Sequence, residues 1–168
     1  MNVLDILKYG NLTLLGSVRD VPEEEWYTAD VCGWWSVKDI LAHMTSFELW
    51  HGDVLDTFLG AEVGTYMLSM AGGGEKFNQV QVARRSEMRV TDVLEEYKDA
   101  HSRLMQLAAQ VPAETYPQNG TIPWYGNEYC LDDFLVYSNY AHKREHSAQV
   151  NVFKDKLKAE GKIASPGE

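Results

Sequence analysis

The chain has 168 residues, 45% of them apolar, with nine Tyr, five Phe and five Trp, which is enough to fill the core of one domain and excludes a disordered segment. Its 25 acidic and 15 basic side chains give a formal charge of −10, which argues against nucleic acid or an anionic membrane as partner and favours a small organic molecule. Cys32 and Cys130 make neither a CxxC pair nor a disulfide framework, no run of about 18 apolar residues occurs, and the opening MNVLDILKYGN lacks the pattern of a signal peptide, so a reducing cytoplasmic location is expected.

The first predicted helix covers about Asn2 to Asp20, with Val3, Leu4, Leu7, Leu14, Leu15 and Val18 at helical spacing and Gly10 as a weak point inside it. Pro22 with Glu23, Glu24 and Glu25 opens a short turn, and Trp26 and Tyr27 are expected to close over a bundle end. Ser36 followed by Asp39 reads as a capping box for a second helix running to about Leu59, whose apolar face carries Val37, Ile40, Met44, Phe47, Leu55 and Phe58. His43 sits beside Met44 on that face, so an imidazole projects into the core. His51 lies near the same face, but eight helical residues place it roughly 12 Å from His43, too far to share one ion, and it reads as a spare.

Gly60 to Gly74, ending in three consecutive glycines, predicts a crossover loop with a short helical piece around Met67; no strand precedes it and no Lys-Ser or Lys-Thr follows, so it is no phosphate-binding loop. A short helix from Lys76 to about Met88 carries Asn78, Arg84 and Arg85, the arginines being candidates to meet an anionic substrate but expected first in surface salt bridges. Thr91 and Glu95 open a third long helix through Val93, Leu94, Tyr97, Leu104, Leu107 and Val111, which Pro112 stops. The stretch to Glu128 reads as an ordered loop over one end of the bundle. Asp132 and Asp133 suit the start of a fourth helix reaching about Glu160, and Gly161 to Glu168 reads as a frayed tail. Four long helices, one long connection and no alternating strand pattern predict an all-α four-helix bundle, a single domain over residues 1–160 with the tail at 161–168.

The fourth helix breaks the pattern of a packing helix. Alternate steps of four and three from Leu135 reach Asn139, His142, His146, Gln149 and Phe153, a seam with polar groups where leucines belong. His142 and His146, at i and i+4, point the same way and can grip one metal ion, and His43 is the candidate third ligand. Three neutral imidazoles and an open position would lower the pKa of a bound water or thiol, a catalytic rather than a structural arrangement. The alternative is that each histidine is an ordinary amphipathic residue. Zinc suits imidazole, and nickel, iron, manganese and copper also bind such sets. Asn139 and Gln149 are candidates for fixing the imidazole tautomers, or for simple polar packing. Glu145 is the candidate general base or fourth ligand, against the reading that a Glu among Lys and Arg neighbours is solvated. Trp34, Trp35 and Trp124 are candidates for a pocket wall or for core and lid packing.

Two segments carry a family resemblance: Gly33-Trp34-Trp35-Ser36-Val37-Lys38-Asp39-Ile40-Leu41-Ala42-His43-Met44 and Ala141-His142-Lys143-Arg144-Glu145-His146-Ser147-Ala148-Gln149. Together with the region from Phe77-Asn78 onward, they resemble the DinB/YfiT-like superfamily of four-helix bundle proteins. The resemblance implies an up-down-down-up bundle with a long crossover, often a homodimer, and a metal held at the positions of His43, His142 and His146. It also implies an activity among thiol-dependent transferases using bacillithiol, mycothiol or glutathione, a mycothiol-dependent maleylpyruvate isomerase, or metal-dependent hydrolases. The isomerase branch has Glu where this chain has His142. The loop Pro123-Trp124-Tyr125-Gly126-Asn127 is similar to that of the ClbS/DfsB subgroup, whose colibactin-resistance member opens a cyclopropane electrophile. The expectation is therefore an enzyme using a divalent metal, zinc or nickel first, and a low-molecular-weight thiol or water against a small electrophile; the alternative is a non-catalytic small-molecule binding or resistance protein of the same fold, its metal structural or absent.

Overall fold

The computed structural model describes residues 2–164. Its elements are α1 (Val3–Val18), a 3-10 turn (Glu23–Tyr27), α2 (Val37–Phe58), α3 (Thr65–Ala71), α4 (Gly74–Ala83), α5 (Val90–Gln110), α6 (Leu131–Leu135), a π-helical segment (Val136–Ala141) and α7 (His142–Ala159). The last three run on as one long helix. Among the described residues there is no strand, only an isolated bridge between Cys32 and Trp35, and no helix is long and apolar enough to cross a membrane.

The helix starts follow from local chemistry. Asn2 caps α1, its Oδ1 accepting from Asp5 N–H at 3.3 Å. Ser36 and Asp39 form the reciprocal box expected for α2, at 3.2 and 3.0 Å. In the crossover, the Asp53 carboxylate accepts from the Tyr66 and Met67 N–H groups at 2.7 and 3.2 Å and so opens α3. Gly64 is required beside it, because a β-carbon there would collide with that carboxylate. The expected short helix starts earlier than read, at Gly74, and stops at Ala83. Gly73, at φ 111°, supplies the turn that lets the helix begin inside the glycine run. Arg85 is not on the surface: it is buried and its guanidinium holds Glu96 through two bonds of 2.7 Å.

Residue pairs across the interfaces set the helix directions. Glu48 meets His101 and Gly52 meets Leu107, so α2 and α5 run parallel. Gly10 faces Tyr140 and Lys143 while Asp20 pairs with Lys154 at 3.6 Å, so α1 and α7 run parallel. His43 meets His142 whereas His51 meets Ser138, so α2 opposes the final helix. The result is the up-down-down-up bundle, with α3 and α4 in the crossover.

The apolar core falls into two clusters. One holds Leu7, Trp50, Leu55, Phe77, Leu104, Leu131 and Phe134. The other holds Leu14, Val37, Leu41, Met44, Tyr97, Val150 and Leu157. On every long helix a polar or small residue lies between the two: Gly10 on α1, Glu48 on α2, His101 on α5, and Asn139, Lys143 and His146 on the final helix. A buried polar layer therefore crosses the bundle, and Phe47 packs against both clusters beside it. At the end of the chain Lys162 pairs with Glu25 at 2.8 Å and Ile163 packs against the second cluster. The rest of the expected tail, 165–168, lies outside the described residues.

Candidate metal centre

The three histidines singled out by spacing meet in this layer. His43 Nε2 lies 3.0 Å from His142 Nε2, and His146 Nε2 lies 3.0 Å from the same atom. All three ligand atoms fall within 4.8 Å of one another. His43 and His146 are buried, while His142 is partly open. Aromatic rings pack two sides of the cluster: Trp35 lies tilted at 4.8 Å from His43 and 6.4 Å from His146 between ring centres, and Phe47, one turn after His43, lies 4.7 Å from His43 and 4.5 Å from His142.

The outer nitrogens show which proton each ring carries. His146 Nδ1 lies 2.8 Å from Gln149 Oε1, so Nδ1 donates and Nε2 holds a lone pair. The backbone carbonyl of Ser138, one turn before His142, is the acceptor for its ring. With Nε2 turned to the other imidazoles, that donor is Nδ1. His43 Nδ1 is buried with no partner among the described residues. Burial and the neighbouring rings push the basicity of the cluster down: His43 to about 2 and His142 to about 3, in both cases chiefly by desolvation. His146 is lowered by the same burial, opposed by Gln149 and Glu145. The rings are thus neutral at pH 7 with at least two lone pairs aimed at one point.

That convergence suits a cation. Lone pairs of His142 and His146 at 3.0 Å repel unless something positive lies between them, and protons are disfavoured by burial. Zinc bonds of 2.0–2.1 Å in a tetrahedron would separate two nitrogens by about 3.3 Å, close to the 3.0 Å of the His43–His142 and His142–His146 pairs. The donor set therefore fits a divalent ion bound by nitrogen.

The remaining expectations divide. Gln149 does contact a site imidazole as anticipated. Glu145 is exposed and stands outside the three-histidine group, within electrostatic reach of His146 and Cys32. Cys32 bonds to Gln149, so a thiol is joined to His146 through one amide. Trp35 walls the site, whereas Trp34 is 75% exposed and walls nothing. Trp124 packs tilted against Trp50 and edge-on against Phe134, and through Trp50 and Phe47 an unbroken run of rings leads from the Pro123–Asn127 loop to His142.

Glu48, Lys143 and His101 were missed. Glu48 and Lys143 are fully buried, as is His51, which stands outside the three-histidine group as expected and is hydrogen-bonded to Ser138 Oγ at 2.8 Å. The signal was present. Stepping along α2 by fours and threes gives Val37, Leu41, Met44, Glu48, His51 and Leu55, every one buried, which is the rule that exposed the seam of the fourth helix.

The family model described as Mycothiol maleylpyruvate isomerase N-terminal domain, a DinB/YfiT-like family, matches residues 13–123. That span includes His43 and ends before His142 and His146, so those two positions lie beyond the matched segment. No curated protein and no solved structure matches the chain.

Proposed function

The chain belongs to the mycothiol maleylpyruvate isomerase N-terminal domain family within the DinB/YfiT-like superfamily, and from that premise we propose that it is a metal-dependent enzyme, a thiol-dependent S-transferase or a hydrolase acting on small electrophilic molecules. The observation that carries the reading is the convergence of the His43, His142 and His146 Nε2 atoms with two of the outer nitrogens committed elsewhere. Bound there, a divalent ion, zinc or nickel first, supplies Lewis-acid activation of a low-molecular-weight thiol or of water near neutral pH.

This chain's own residues do the rest. Gln149 and the Ser138 carbonyl hold His146 and His142 in one tautomer and one orientation. Trp35 and Phe47 exclude water from two sides, leaving the partly open His142 side as the approach for a substrate. Glu145 at the rim is the candidate to take a proton from an incoming thiol or water, since its carboxylate is exposed and near His146. The excess of acidic side chains favours neutral electrophiles over strongly anionic ones. A cytoplasmic homodimer is the form in which we expect it to act.

The ring path from the Pro123–Asn127 loop to His142 supports a second reading, a protein that sequesters an aromatic or apolar ligand without turning it over. One experiment separates the two. The purified protein is assayed for bound metal, then for thiol consumption with mycothiol, bacillithiol and glutathione against a panel of electrophiles, before and after chelation. The enzyme reading expects bound divalent metal, turnover lost on chelation with the fold retained, and a His146→Ala protein that stays helical but loses most of its metal. Full metal occupancy in His146→Ala would overturn the site, and ligand binding unchanged by chelation with no turnover would favour sequestration.

A further inference from the structure

Five residues from His43 along α2, and so about 7.5 Å along the helix axis, the polar layer is organised by one carboxylate. Glu48 is wholly buried. Its Oε1 accepts from Asn139 Nδ2 at 2.7 Å and lies 2.8 Å from Lys143 Nζ, and its Oε2 lies 2.7 Å from His101 Nδ1. Asn139 and Lys143 are themselves wholly buried, and they stand at −3 and +1 from His142 on the final helix. One oxygen of one side chain therefore fastens both flanks of His142 to the helix that carries His43.

The backbone at this point needs fastening. Val136–Ala141 is π-helical, a wide turn that an uninterrupted α-helix would not adopt and that survives where outside contacts over-determine it. Asn139 lies inside that segment, and His142 is the first α-helical residue after it. If the π turn relaxed to α, every residue on one side of it would rotate relative to the other, and His142 with it. The third wall is built to match. At Gly10 of α1 a β-carbon would come within 3.3 Å of both Lys143 Cδ and the Tyr140 ring, so the glycine lets α1 close directly over the lysine stem. A buried ion pair is also a poor choice for stability alone, since apolar side chains of the same volume do as well or better, and its attested use is to fix register.

We propose that Glu48 is the positioning residue for the three-imidazole cluster, holding His142 in register with His43 by tying Asn139 and Lys143 to α2. The inference rests on the metal-site reading above. The test loads the full chain with Co2+, whose visible ligand-field spectrum reports the geometry at its ligands, and compares wild type with Glu48→Gln, Asn139→Leu and the paired Glu48→Leu/Lys143→Met, measuring Co2+ affinity, spectrum and Tm for each. Glu48→Gln and Asn139→Leu are expected to bind Co2+ about 10- to 100-fold more weakly, with shifted bands. The paired variant removes both buried charges together, so its Tm should equal or exceed that of wild type while its Co2+ affinity stays low and its spectrum altered. It carries the test if Glu48→Gln does not fold. Co2+ affinity within twofold of wild type and an unchanged spectrum in the paired variant would make the network purely structural and overturn the proposal. A wild-type chain that binds no Co2+ would overturn the metal reading and this inference with it, which distinguishes the two failures.

Discussion

Acid should unfold this protein unusually early once it is freed of metal. Three imidazoles are held far below the ordinary value of 6.5, His43 at about 2, His142 at about 3 and His51 at about 4, each chiefly because burial disfavours its charged form. In the unfolded chain the same groups take up protons as pH falls through 6.5, while the folded state does not, so the unfolded state binds more protons and stability falls with pH. The loss begins near pH 6.5 and continues until the folded values are reached. Between pH 7.5 and 5.5 each group contributes about 1.4 kcal/mol, or about 4 kcal/mol for the three, and the sum is insensitive to how far below 5 each folded value lies. His146 shifts in the same direction and adds to it. A loss of that size is a large share of the 5–15 kcal/mol that holds a typical domain together. The assay is urea denaturation followed by circular dichroism in chelator at fixed ionic strength, at pH 7.5 and 5.5, with the imidazole proton resonances followed by NMR over the same range. A difference under about 1 kcal/mol, or imidazoles titrating near 6.5 in the folded protein, would refute the reasoning.

Two further outcomes are expected. Gln149→Leu removes the acceptor at His146 Nδ1 and frees the ring's tautomer, so metal affinity should fall about 10- to 100-fold with little change in Tm, as read by competition with a chromophoric chelator; unchanged affinity would remove Gln149 from the site. Gly64→Ala drives a β-carbon into the Asp53 carboxylate that caps α3, and should destabilise the protein by about 1–3 kcal/mol without altering metal stoichiometry, as measured by thermal unfolding and elemental analysis.

The local codes of this chain were legible because they act over a few residues. Ser36 and Asp39 mark the start of α2, the apolar spacing of Val3 to Val18 marks α1, and the fours-and-threes step exposes the polar seam at Asn139, His142, His146 and Gln149. The i, i+4 spacing alone aims His142 and His146 the same way, because an α-helix has only one geometry to offer. Helix count and connection lengths gave the bundle, and family resemblance added its helix order, which the residue pairs across the bundle bear out.

What only the tertiary structure decided are the pairings across helices. Nothing near Lys143 in the sequence says that an ammonium flanked by Arg144 and His142 is wholly buried; that follows from Glu48, 95 positions earlier, and from Gly10 closing over its stem. Gly10 reads as a weak point in a helix and is instead the place where two helices touch. Arg85 reads as a surface cation and is buried because Glu96 lies on a neighbouring helix. The π turn ahead of His142 has no sequence signature here, since its stability comes from contacts with α1 and α2 rather than from its own residues. Spacing along one helix fixes where a side chain points; what it meets there depends on helices that the chain brings together from far apart.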